Sequence, residues 1–205
     1  MRITIIGLVV AVLVLLVPLM ARAIEEPSYE ITSRMGEIEV RQYAGYTVAE
    51  VVVGGTAEQA GNEAFQILAG YIFGKNTSAT KLAMTAPVTQ TPASTKLPMT
   101  APVTQSLTAE GYRVQFVLPK GITPETAPRP VDTRITLRWV TPTKRAVIRY
   151  SGFWSDSNYN EHLAKLEAAL KTAHVAWVGE PVYSRYNPPF WPWFLRRNEI
   201  WLALE

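Results

Sequence analysis

Apolar and polar residues alternate with two different periods along this chain, and each change of period marks a new element. Tyr29-Glu30-Ile31 and Ile38-Glu39-Val40-Arg41 alternate residue by residue, and residues 48–53 are rich in β-branched side chains. Gly36 and Gly45 punctuate these runs, so strands separated by turns are predicted over residues 28–53. The period then lengthens. Ala60, Ala64, Ile67, Leu68, Tyr71 and Ile72 recur at helical spacing and predict an amphipathic helix over residues 56–73, stopped by Gly74. Residues 82–118 return to strand patterning, and residues 133–150 hold two more strands divided by Thr141-Pro142. A second helix follows, with Tyr159, Leu163, Leu166 and Leu170 on its buried side and Ser155, Asp156 or Ser157 available as its cap. Residues 175–186 and 199–204 close the chain as strands around an aromatic, proline-rich loop. Strands, helix, strands thus occur twice. This order predicts one α+β domain over residues 24–205, built as a duplicated unit whose sheets curl round a shared core with the helices outside.

Residues 1–23 follow neither period. Arg2 precedes an apolar run over residues 3–20 whose end is broken by Pro18, and Ala21-Arg22-Ala23 supplies small residues for cleavage after Ala23, the pattern of a secretory signal peptide. The run is close to the ~20 residues that span a bilayer, so an uncleaved anchor in the inner membrane is the competing reading. Either reading exports the remainder, to the periplasm, to the outside, or to the membrane face. The overall charge of +3 changes meaning with this division. Arg2 and Arg22 belong to the export segment, which leaves 18 Lys and Arg against 17 acids beyond it, a weak field that argues against nucleic acid as a partner. The chain has no cysteine. That excludes disulfides, a thiol nucleophile, iron–sulfur clusters, thiolate-bound haem, Cys-based zinc, a lipoprotein anchor and c-type haem attachment.

Residues 80–90, TKLAMTAPVTQ, recur as residues 95–105, TKLPMTAPVTQ, with ten of eleven positions identical. Each copy places its apolar side chains on alternate residues, as one face of a strand, and the turn-like residues 91–94 would let the copies pair as a hairpin. Proline inside each copy points to an edge or a bulge. One reading is a tandem slip that lengthens a hairpin; the other has the paired methionines lining an apolar pocket. Met84, Thr85, Pro87 and Val88, preceded by Gly74-Lys75-Asn76, also resemble the signature of the SOUL family of haem-binding proteins. Residues 116–119 (FVLP), 151–153 (SGF), 186–189 (YNPP) and 197–201 (RNEIW) resemble that family's later blocks in the same order.

The resemblance implies a distorted antiparallel β-barrel from a duplicated β-α-β-β unit with two helices packed outside, a fold similar to the effector-binding domains of bacterial drug-sensing regulators. It implies non-covalent haem, or a related tetrapyrrole, as ligand and small-molecule partner. The site would be a shallow apolar surface between the first helix and a loop near the C-terminus. Family members with an axial histidine place it where Gln42 stands here, and those with cations on the first helix place them where Asn62 and Gly70 stand. Burial is the remaining source of affinity. Asn62, Phe65, Gln66 and Ala69 would floor the site, Phe190, Trp191 and Trp193 would wall it, and Arg196 or Arg197 would meet the propionates.

Each assignment has a plainer alternative. Phe65 is equally an extension of the helix's core stripe. His162 reads as a half-buried structural histidine and His174 as a residue suited to a helix C-terminus. Met84 and Met99 read as strand packing before axial thioethers. The loop over residues 187–197 either packs its rings over the barrel mouth or lies at a membrane surface. No hydrolytic or phosphate-binding motif is present, so a binder rather than an enzyme is expected; the runner-up to a haem binder is a haem-independent binder of another hydrophobic ligand, or an envelope interaction module on the same fold, and a hydrolase using Glu63 is a third class.

Overall fold

The computed structural model describes residues 25–77, 97, 99–188 and 190–205. The expected signal or anchor segment and the first repeat copy, with Met84, Thr85, Pro87 and Val88, lie outside the described residues. In chain order the elements are β1 (Tyr29–Met35), β2 (Ile38–Tyr43), β3 (Tyr46–Val53), α1 (Ala57–Ile72), β4 (Asn76–Thr77), β5 (Val103–Thr108), β6 (Gly111–Val117), β7 (Arg129–Pro130), β8 (Thr136–Val140), β9 (Thr143–Tyr150), α2 (Asp156–Thr172), β10 (Trp177–Arg185) and β11 (Asn198–Leu204). A single 3₁₀ turn, Trp193–Leu195, sits between the last two strands. Among the described residues no helix is long and apolar enough to cross a membrane.

Nine strands form one antiparallel sheet in the order β1-β2-β9-β11-β10-β5-β6-β3-β8, and β4 pairs with β7 separately. The duplication is visible in this order. β3-β6-β5 and β10-β11-β9 are mirror sequences about the central β5/β10 pair, and each half carries its helix between its first and second strands of that sheet. The sheet curves strongly without closing: β1 and β8 remain edges. The expected barrel is therefore an open one. Only Ala44 and Gly45 join β2 to β3, yet the two strands lie near opposite ends of the sheet, so the curl must bring those ends together.

Strand alternation sorts the core into three clusters. Ala49, Val51 and Val53 of β3 face α1, where Ala60, Ala64, Leu68, Tyr71 and Ile72 meet Val114 and Phe116 of β6. Ala146 and Ile148 of β9, with Ile200 and Leu202 of β11, face Tyr159, Leu166 and Leu170 of α2. The intervening residues point into the curl, where Tyr43, Val48, Val117, Val147, Tyr186 and Trp201 pack together from both halves. The second repeat copy contributes Val103-Thr104-Gln105 to the centre of the sheet, paired with β6 and β10, rather than to an edge. Pro102 precedes the first strand residue and so forfeits no ladder donor.

Both helices start and stop by side-chain and backbone capping. Thr56 and Gln59 form a capping box on α1, and Ser155 accepts from the Asn158 N–H on α2. Each ends in a Schellman motif: Lys75 N–H reaches Gly70 O at 2.9 Å, and Val175 N–H reaches Leu170 O at 3.0 Å. The left-handed position is Gly74 in α1, but in α2 it is His174, at φ +54°. A Cβ in that region is unfavourable. His174→Gly is expected to stabilise the protein by about 1 kcal/mol, read as a melting temperature about 2–4 °C higher.

Candidate functional site

The loop from β10 to β11 carries a dense run of exposed apolar side chains. Phe190 is 84% exposed, and Trp191, Trp193, Phe194 and Leu195 are each between 42% and 58% exposed. Phe153, from the β9–α2 loop, stacks on Trp193 at 5.2 Å and 20°, and Trp193 meets Phe194 edge-on at 5.5 Å. The ridge is fixed rather than trailing. Gly152 N–H donates to Trp193 O at 3.0 Å, Leu195 N–H to Pro192 O at 3.0 Å, and Arg196 Nε to Trp191 O at 2.9 Å. A contiguous apolar patch held open by backbone hydrogen bonds is what a soluble domain keeps for a ligand or partner.

The other expected site residues divide. Asn62 and Gln66 are exposed on α1. Phe65 is 39% exposed with its ring edge-on to Phe116 at 5.5 Å, so it caps the core and offers only part of its face. Ala69 is buried within the α1 cluster and cannot floor a surface site. Arg197 is engaged on all sides: Nη2 meets Glu199 at 2.8 Å, Nη1 meets Glu26 at 2.8 Å, and the guanidinium lies 3.7 Å over the Tyr186 ring. Arg196 lies beside the ridge, its guanidinium over the Trp154 ring. Gln42 donates to its neighbour's carbonyl, Tyr43 O. His162 stacks on Tyr150 at 4.4 Å, with Nδ1 at 2.7 Å from Asn158 O, a structural placement. Met99 is partly exposed on the approach to β5.

Beside the ridge lies a cleft of about 520 Å³ that the sequence pattern did not single out. It opens where the two halves meet, between the N-terminal turns of α1 (Thr56, Ala57, Glu58) and α2 (Ser155, Asp156), over Gln105 of β5 and Tyr183 and Arg185 of β10. Tyr150, Trp154, Tyr159 and Ser184 line its walls, and so does Asn62, the one expected site residue that the structure places here. Tyr159 stacks on Tyr183 with ring centroids 3.5 Å apart. Burial pushes the Tyr150 hydroxyl up to about 12, so it remains a neutral donor at ordinary pH. Trp154 joins cleft and ridge: the Arg185 and Arg196 guanidinium groups lie 4.7 and 4.6 Å from its ring, and its Nε1 donates to Asn198 Oδ1 at 2.8 Å. The local hints were an arginine among the tyrosines of residues 183–186 and two aromatics, Tyr150 and Trp154, just ahead of the α2 cap.

The curved sheet, one helix per half and a ligand-sized cleft at the junction define an α+β module made by duplication. Solved structures share this fold at low identity. A hydrolase from Listeria innocua is similar with a TM-score of 0.53 at 9% identity, covering 85% of this chain and 94% of that one. The C-terminal domain of EcmrR is similar with a TM-score of 0.52 at 11% identity, covering 86% and 98%. No curated protein is similar in sequence. The chain belongs to the SOUL heme-binding protein family, whose model matches residues 24–203. It is a haem- or tetrapyrrole-binding protein by family.

Proposed function

We propose that this is an exported member of the family that holds haem, or a related tetrapyrrole, reversibly and non-covalently, as a binder without turnover. The observation that carries this reading is the aromatic ridge of Phe153 and residues 190–195, whose rings are exposed yet fixed by hydrogen bonds. A planar macrocycle covering such a surface removes apolar area from water at ~25 cal/mol per Å² on each side. Arg196, held beside the ridge by its bond to Trp191 O, is the cation suited to a propionate. His162 is committed to Tyr150 and Asn158, which favours burial over histidine ligation as the source of affinity. Export rests on the N-terminal pattern of residues 1–23.

Titrating haem into the protein from Ile24 onward, followed by the Soret band, tests the reading. A saturable one-to-one shift at micromolar haem, retained in His162→Ala, is expected; absence of any saturable shift overturns it. Sequencing the N-terminus of the exported protein tests cleavage after Ala23.

A further inference from the structure

The cleft between the two halves is built around a cation that its surroundings do not neutralise. Arg185 leaves the central strand β10 beneath α1. Its Nη1 lies 3.8 Å from where a Cβ on Gly61 would stand, and that same Cβ would be 3.2 Å from Gln105 Oε1. Glycine in mid-helix costs about 1 kcal/mol relative to alanine. At this position it leaves room for Gln105 and Arg185 below. Among the described residues the guanidinium of Arg185 makes no ion pair with a carboxylate, and its charged contact is with the face of Trp154. Burial lowers its pKa against the opposing fields of Tyr150, Tyr183 and Glu58. A half-buried cation with no carboxylate in direct contact is a costly arrangement for folding alone.

Three further features converge on the same space. The N-termini of α1, with 16 residues, and of α2, with 17, both border the cleft, and each presents the positive end of a helix dipole. Ser184 lines it, is 1% exposed, and among the described residues has a hydroxyl with no hydrogen-bond partner. Tyr150, Trp154, Tyr159 and Tyr183 supply flat apolar walls. The acids present are Glu58 and Asp156, exposed in the first turns at the rim, where they oppose a second negative group rather than the one that reaches the floor.

We infer that this cleft binds an aromatic carboxylate, one carboxyl group entering to meet Arg185 while the ring system lies among Trp154 and the tyrosines. The volume of about 520 Å³ falls in the range of small-molecule sites. The carboxylate has two possible sources: a free aromatic acid, or a propionate of a tetrapyrrole seated on the adjoining ridge.

Isothermal titration calorimetry of the protein from Ile24 onward with 2-naphthoate, and with its neutral isostere 2-naphthamide, tests this. One saturable site for the acid is expected, with the amide at least tenfold weaker. Arg185→Gln should bring acid and amide to parity, and Arg185→Lys should retain part of the preference. Equal affinity for acid and amide in the unaltered protein overturns the inference, and that comparison stands even if the glutamine variant does not fold. An undiminished preference in folded Arg185→Gln overturns it as well. Repeating the titration after saturation with haemin separates the sources: loss of naphthoate binding assigns Arg185 to a propionate, whereas simultaneous binding assigns the cleft to a free acid. Naphthoate binding without haemin binding would sink the tetrapyrrole reading and leave this one standing.

Discussion

Glu199→Ala is expected to cost about 3–5 kcal/mol of folding free energy, the loss typical of removing one member of a buried ion pair. Glu199 is 0% exposed in the middle of the curl. Its Oε2 accepts from Arg41 at 3.0 Å, from Tyr186 Oη at 2.8 Å and from Trp201 Nε1 at 2.8 Å, while Oε1 accepts from Arg197 Nε and Nη2 at 3.0 and 2.8 Å. Among the described residues alanine would leave Arg41, itself 2% exposed, with only Glu39 at 2.7 Å as a charge partner, and would remove the acceptor of Tyr186 Oη and Trp201 Nε1. Burial alone would raise the carboxyl pKa; the fields of Arg41 and Arg197 outweigh it and hold it below the ordinary value. A lowered folded-state pKa contributes stability above the unfolded pKa and loses it as pH falls through the folded one. Urea titrations should therefore show a reduced midpoint with an unchanged m-value for Glu199→Ala at pH 7. The gap from the unaltered protein should narrow from about pH 5 downward. An unchanged midpoint would mean that the cluster adds nothing to stability.

This cluster shows what the sequence could and could not reveal. The family-like RNEIW block was legible as a motif, but its commitments were not. Reading Arg197 as a ligand anchor required it to be free, and only the central position of β11, flanked by β9 and β10, shows that its neighbour Glu199 is sealed in and must hold it. The first helix is legible to within a residue because apolar period and caps agree locally: the pattern predicts residues 56–73 and Ala57–Ile72 is observed. Ala69 was misread as surface because α1 meets both β3 and β6, which buries a wider arc than one strand would. Strand order was illegible for a similar reason. β2 and β3, two residues apart, would ordinarily be neighbours, yet each pairs near a different end of the sheet, and curvature brings those ends close enough for a two-residue link. The cleft was hidden because Gln105 and Tyr183 become partners only through the β5/β10 pairing at the junction of the halves.

Replacing both Trp191 and Trp193 by aspartate is expected to weaken haem binding at least about 100-fold. Each ring is about half exposed before binding, 42% and 48%, so a macrocycle lying on them would cover apolar area equivalent to about 1 kcal/mol per residue. A carboxylate trapped beneath the macrocycle without a partner would add roughly 1–3 kcal/mol of penalty. At 1.4 kcal/mol per tenfold, even the lower end of these losses exceeds about two decades in affinity. Stability should fall by less than a core substitution costs, because each ring is half exposed and the ridge is also fixed through backbone groups, Gly152 N–H to Trp193 O among them, although the stack of Trp193 on Phe153 is lost. Phe65→Asp makes the opposite comparison. Its ring meets Phe116 at the edge of the α1 cluster, so the substitution lowers melting temperature as well as any affinity it affects. Soret titration and thermal unfolding of the two variants separate the surfaces. Loss of affinity in the double aspartate variant beyond what its change in stability accounts for identifies the ridge as the face that receives the macrocycle. Unchanged affinity there, with loss in Phe65→Asp beyond its cost in stability, would move the site to the exposed side of α1.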